Sequence, residues 1–255
     1  MNLSLANPIV LVKYKSNSQR IRVLTEQWMA SQMFCPHCLH SQLTPFANNN
    51  PVADFSCSQC KEQFQLKSQL PNFGRKINDG AYGVMIKSIH QNMRPNFFFL
   101  QYTVDYYVKN LFLVPSFFFT PEVIEKRKPL AESAKRAGWI GCNVLLEKIP
   151  PEGRIPIIQD GNILQRKIVE EKWHKIEFIK KSPLIERSWT IDILNVIHQL
   201  KKKDFTLQDI YQYEKALAML HPNNFHVKDK IRQQLQILRD KNLLQFKGKG
   251  KYVLK

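Results

Sequence analysis

The chain has 255 residues, 44% hydrophobic and 11% aromatic, enough apolar material for one large and one small core, which excludes a disordered or fibrous protein. No apolar run is long enough to cross a bilayer, and the opening MNLSLANPIVLVKYK lacks the features of a secretory leader, so a cytoplasmic protein with no membrane role is expected. The 38 Lys and Arg against 21 Asp and Glu leave a net charge of +17, which attracts a polyanion and releases its counterions on contact; nucleic acid is the expected partner, anionic lipid the alternative.

Residues 18–32 carry Ile21, Val23, Leu24, Trp28 and Met29 at helical spacing and predict a helix leaning on a sheet. Next come Cys35-Pro-His-Cys38 and, after 18 residues, Cys57-Ser-Gln-Cys60, the spacing of two knuckles converging on one tetrahedral ion. Four thiolates leave no open coordination position, so a structural zinc is expected; two disulfides or metal-free thiols are the alternatives. His37 and His40 are read as solvated, with a role as substitute ligands the alternative, and Cys142 as a small buried hydrophobe.

Pro51-Val-Ala-Asp54 lies between the knuckles, and Glu62-Gln-Phe-Gln-Leu-Lys67 follows them. Period two puts Gln63, Gln65 and Lys67 on one strand face and Phe64 and Leu66 on the other. If these strands pair, a carboxylate, an amide oxygen and an ammonium approach one point. Phosphodiester hydrolysis needs a hard cation on the phosphate, an activated water and positive charge beside the transition state. The pattern is similar to a PD-(D/E)xK nuclease core, in which Asp54 and Gln65 would hold a catalytic Mg²⁺, the Leu66 carbonyl would add a ligand, and Lys67 would stabilise charge. Glu26, on the first helix, is either a further acid near that metal or a surface glutamate.

Pro71-Asn-Phe-Gly-Arg-Lys76 reads as a basic loop able to follow a phosphate backbone, residues 81–91 as a helix, and residues 96–103 and 111–115 as buried aromatic strands. Arg136 and Trp139, between Gly138 and Gly141, suit close approach to DNA; Trp139 equally suits a core plug. Beyond the Pro-rich residues 149–153 and a charged stretch, helices are expected at 189–200, from Thr206 as N-cap, and at 227–240, followed by a hairpin with the tip Lys247-Gly-Lys-Gly-Lys251. That is winged-helix order. The third helix would offer His226, Lys228, Lys230, Arg232 and Gln233 to the major groove, and Lys247 and Lys249 would lie on the backbone.

The segments YKSNSQ, LTEQW, NNNPVADF, the two knuckles, LKS, INDGAY, PNFFFL, RKPLA, RAGWIGCN, SWTIDILN and KIRQQLQILRDK resemble, in order, the DpnI-like restriction endonucleases of the Dam-replacing family. The resemblance implies an α/β fold, with a PD-(D/E)xK nuclease domain carrying an inserted zinc module (residues 1–181) and a winged-helix DNA-binding domain (residues 182–255). It further implies a bacterial, cytoplasmic, monomeric type II enzyme that cuts double-stranded DNA at N6-methylated GATC with Mg²⁺, leaving 5′-phosphates. One residue departs from the family pattern. Gln65 stands where the family has Glu, which weakens the hold on a hard cation and keeps open a catalytically impaired DNA-binding protein or regulator.

Overall fold

The computed structural model describes residues 1–47 and 53–255; Pro51, read above as part of the nuclease motif, lies outside them. The chain divides into two compact units, residues 1–147 with 151–174, and residues 148–150 with 175–255. The second unit thus begins before residue 182, because residues 175–181 pack with it.

The first unit contains strands β1 (Thr44–Pro45), β2 (Phe55–Ser56), β3 (Gln63–Gln69), β4 (Lys76–Ala81), β5 (Asn96–Tyr102), β6 (Val108–Val114), β7 (Ile124–Lys126), β8 (Gly141–Leu145), β9 (Ile155–Gln159) and β10 (Asn162–Ile163). Seven of them form one sheet in the order β1-β2-β3-β5-β6-β9-β10, with β3 and β5 parallel and the other neighbours antiparallel; β4-β8-β7 form a second sheet. The helices are α1 (Pro8–Lys13), α2 (Asn17–Gln32), α3 (Tyr82–His90) and α4 (Arg166–Ile176), the last straddling the division between units.

Strand β5 lies at the centre because its residues Asn-Phe-Phe-Phe-Leu-Gln are buried on both faces, as a strand between two others requires. Its two buried amides are bonded: Asn96 Nδ2 donates to Glu62 Oε2 (2.8 Å) and to the Gln63 carbonyl (2.9 Å) while its Oδ1 accepts from the Ser116 N–H (2.8 Å), and Gln101 Nε2 donates to Asn72 Oδ1 (2.7 Å). Helix α2 buries Leu24, Thr25, Trp28 and Met29, and Thr25 Oγ1 lies 3.4 Å from Ser68 Oγ on β3. The helix face and β3 therefore enclose a crevice at the open edge of β3, beyond the short pairing of Phe55 with Phe64 and Ser56 with Gln63.

Two sequence expectations were incomplete here. The stretch Lys76-Ile-Asn-Asp-Gly-Ala, from the end of the expected loop to the first residue of the expected helix, is strand β4; its polar residues and Gly80 hide its period. The charged residues 166–176 form a helix that buries Val169, Trp173 and Ile176.

The second unit holds α5 (Leu184–Gln199), β11 (Asp204–Thr206), α6 (Leu207–Tyr211), α7 (Glu214–Leu220), α8 (Val227–Asp240), β12 (Leu244–Gly248) and β13 (Lys251–Leu254), with the sheet order β11-β13-β12. Its core gathers Trp189, Ile193, Ile197, Phe205, Ile210, Leu217, Ile231, Leu235 and Leu238. Thr206 caps α6 as expected, and reciprocally: its Oγ1 accepts from the Asp209 N–H, and Asp209 Oδ2 accepts from the Thr206 N–H at 2.6 Å. The helix expected to run on from Thr206 breaks into α6 and α7. At the tip of the β12–β13 hairpin Lys249 (φ +48°) and Gly250 (φ +70°) both take left-handed backbone, the type I′ geometry that matches strand twist.

Candidate metal centres and nucleic-acid surface

The four expected cysteines come together. All four Sγ atoms lie within 4.8 Å of one another, with Cys35–Cys60 and Cys38–Cys57 each at 3.6 Å, and none is in a disulfide. A tetrahedral ion with metal–sulfur bonds of about 2.3 Å separates its sulfurs by about 3.8 Å, so the cage fits zinc. Both knuckles are built alike. The Leu39 N–H donates to the Cys35 carbonyl (2.9 Å) and the Lys61 N–H to the Cys57 carbonyl (3.0 Å), and Leu39 (φ +58°) and Lys61 (φ +63°) both turn left-handed.

Burial pushes the Cys35 thiol up and that of Cys60 up to about 12, whereas at Cys57 burial is the largest influence but hydrogen bonds from the Cys60 and Gln59 N–H groups and the Cys60 and Cys38 thiols together pull it down. A cation replaces those protons on binding. The two histidines are less solvated than expected: the His37 ring packs 5.4 Å from Trp173, and His40 Nε2 lies 3.0 Å from Ser58 Oγ. Cys142 is fully buried, as expected, with its Sγ 3.4 Å from the Gly80 carbonyl.

At the edge of β3 a cavity of about 570 Å³ is lined by Arg22, Glu26, Asp54, Gln65, Leu66 and Ser68, among others. Asp54 Oδ2 accepts the Leu66 N–H at 2.7 Å, which anchors the carboxylate to the strand and leaves Oδ1 for another partner. Burial raises the Asp54 carboxyl above the usual range, opposed by the Leu66 N–H and by the charges of Lys67 and Arg22. Glu26 shares this cavity, held by Arg22 Nε at 2.7 Å. Its oxygens, the Asp54 carboxylate and the Gln65 amide oxygen are hard donors of the kind Mg²⁺ takes.

Lys67 is placed differently from the sequence expectation. It is not among the residues lining the cavity; its Nζ donates to Asp79 Oδ1 at 2.6 Å, while its charge still acts on Asp54. Asp79, on β4, went unnoticed in the sequence although it lies within the INDGAY segment; Arg94 Nη2 sits 3.4 Å from its second oxygen. No local spacing links residues 67, 79 and 94, so only the fold reveals this cluster.

Trp139 is half-buried and not a core plug. Arg136, exposed, lies with its guanidinium 4.4 Å above the Trp139 ring, and a Cβ at Gly141 would stand 2.8 Å from that ring, so glycine is required for the indole to lie on the backbone.

On α8, His226 is the exposed N-cap residue and its N–H donates to Asn224 Oδ1 (2.9 Å). Lys228 pairs with Glu214 (3.3 Å), Arg232 Nη1 donates to the Tyr211 hydroxyl (2.9 Å) and pairs with Asp229, and Gln233 is exposed. Exposed pairs of this kind are worth little and exchange readily for phosphate. Lys247 and Lys249 are exposed on the hairpin. Lys230 corrects the sequence reading: only 13% exposed, it turns inward to Glu186 Oε1 (2.5 Å). Gln234 Nε2 donates to the other Glu186 oxygen (3.1 Å), and Thr190 Oγ1 donates to Gln234 Oε1 (2.8 Å). Lys230 thus completes a partly buried network between α5 and α8, because a charge on the helix's inner stripe must find a partner.

The fold and these sites define a mixed α/β unit with a four-cysteine cluster able to hold a metal ion, joined to a helix–turn–helix-type unit. A family model described as the DpnI, Dam-replacing family matches residues 1–182, and one described as the Dam-replacing HTH domain matches residues 185–253. The chain belongs to the Dam-replacing family. Membership implies a restriction endonuclease with a DNA-binding HTH unit. Among the described residues no helix is long and apolar enough to cross a membrane.

Proposed function

We propose that the protein is a type II restriction endonuclease that hydrolyses double-stranded DNA at N6-methylated GATC, with a PD-(D/E)xK-type site in residues 1–181 and a winged-helix reader in residues 182–255. The observation that carries the reading is the cavity shared by Asp54, Gln65, Leu66 and Glu26, one residue along β3 from Lys67. Because a strand residue points its N–H and C=O to the same side, the Leu66 carbonyl faces the edge at which Asp54 accepts the Leu66 N–H.

Asp54 and Gln65, with the Leu66 carbonyl, would hold Mg²⁺, which when bound supplies charge on the scissile phosphate and an acidified water. Asp54 fixes the site to the strand, and because burial raises its affinity for a proton, protons compete with the cation for this carboxylate as the pH falls. Glu26, released from Arg22, adds the carboxylate that Gln65 lacks. Lys67 contributes positive charge toward the pentacovalent phosphorus, and the reaction leaves 5′-phosphates.

His226, Lys228, Arg232 and Gln233 would read or clamp the major groove, Lys247 and Lys249 the backbone, and Arg136 with Trp139 the DNA near the cut. The zinc centre acts as scaffold. The family resemblance implies a bacterial cytoplasmic enzyme acting as a monomer.

Digestion of one plasmid prepared with and without adenine methylation, in Mg²⁺ or EDTA, tests the reading. Mg²⁺-dependent cutting of the methylated plasmid alone is expected, with a loss of about 10³-fold or more in Asp54→Ala. A second reading rests on Gln65: binding of GATC duplexes with no cutting of either plasmid would mark a catalytically impaired DNA-binding protein.

A further inference from the structure

Lys67 and Asp79 come from different sheets. Lys67 stands on β3 of the seven-stranded sheet, whereas Asp79 stands on β4, directly opposite Cys142 on β8. Their contact at 2.6 Å is sheltered, the two side chains being 22% and 6% exposed. Asp79 also receives Arg94, itself 11% exposed, at 3.4 Å. The Arg94 guanidinium is fixed in turn, 4.8 Å from the Phe97 ring centre and 6.0 Å from that of Phe119. One buried carboxylate therefore lies between two cations, and every member is held by packing.

This arrangement has two physical consequences. A free lysine has many rotamers, and a bond from Nζ to a rigid carboxylate removes most of that freedom before substrate arrives. The charge balance also matters. With Arg94 sharing the carboxylate, Lys67 is anchored without being neutralised, and the cluster keeps a net positive charge for a phosphate. A lone Lys–Asp pair would cancel it, and two cations without Asp79 would repel each other in a sheltered site.

We propose that Asp79, steadied by Arg94, is the positioning residue for Lys67: it holds the ammonium where charge develops on the scissile phosphate. The proposal rests on the nuclease reading of Lys67 given above.

The test is single-turnover cleavage of a methylated GATC duplex by the full-length protein in Mg²⁺, with duplex affinity measured in Ca²⁺. Asp79→Asn is expected to slow cleavage about 30- to 100-fold, the scale of a misplaced catalytic group, while affinity stays within about twofold. In a Lys67→Met background the same substitution should cost nothing further, since Asp79 then has no ammonium to place. An Asp79→Asn protein that cuts at the wild-type rate overturns the proposal, and so does equal slowing in the two backgrounds. Should Asp79→Asn fail to fold, Asp79→Asn with Arg94→Met, which removes one cation along with the carboxylate, is compared with Arg94→Met alone; equal rates overturn the proposal. Wild-type protein that binds the duplex and never cuts it refutes the nuclease reading instead, and removes the role of Asp79 with it.

Discussion

The cysteine cage and the Asp54 cavity are neighbours in sequence, both drawing on residues 54–66, yet they are assembled in opposite ways. The cage is made of two local turns with the same hydrogen bonds and the same left-handed residue after the second cysteine, and its four ligands fill a tetrahedron. The cavity is made of residues from α2, the approach to β2, and β3, with the neighbouring Lys67 bonded to Asp79 on another sheet. A closed centre serves as a staple, and an open one leaves room for a substrate. The difference teaches that the first can be read from spacing, whereas the second exists only once non-local strands have met.

The largest expected effect comes from breaking the staple. Cys57→Ser leaves three thiolates and ties β2 and β3 less firmly to the turn after α2, so the first unit is expected to lose about 4 kcal/mol or more and to melt well below the wild type, with cleavage lost as a consequence. Calorimetry checks it; unchanged melting would mean that the cage carries no metal in solution.

A smaller effect, in the opposite direction, sharpens the other half of the comparison. Gln65→Glu restores a carboxylate to the cavity and is expected to lower the Mg²⁺ concentration for half-maximal cleavage about tenfold, with melting little changed. A variant with unaltered Mg²⁺ dependence would place Gln65 outside the metal shell.

The same contrast separates what was legible in the sequence from what was not. Cysteine spacing, the apolar stripe of α2, the aromatic run of β5, the Thr206 cap and the third helix of the second unit are all local signals, and the structure places each of these elements where the pattern pointed. Strand β4 was missed because its residues are polar and contain glycine, so packing against β8 decides its conformation. Asp79 was missed for the same reason, since its value lies in partners from β3 and from the turn before β5.

Lys230 was misread although a signal existed. It lies three residues after Val227 and four before Gln234, on the stripe of α8 that faces α5, where a lysine requires an acidic partner such as the half-buried Glu186. A basic residue on a DNA-reading helix is thus a candidate contact only when its helical phase points outward.

The account's central claim is that the two centres have separate duties, a resident zinc that holds the fold and a cavity that takes an exchangeable Mg²⁺. Brief dialysis against EDTA, followed by zinc analysis and cleavage of methylated plasmid with each cation restored in turn, tests this directly. The account predicts about one zinc retained per chain, no cutting in EDTA, and recovery with Mg²⁺ alone. Cleavage that follows zinc content and ignores Mg²⁺ would contradict it.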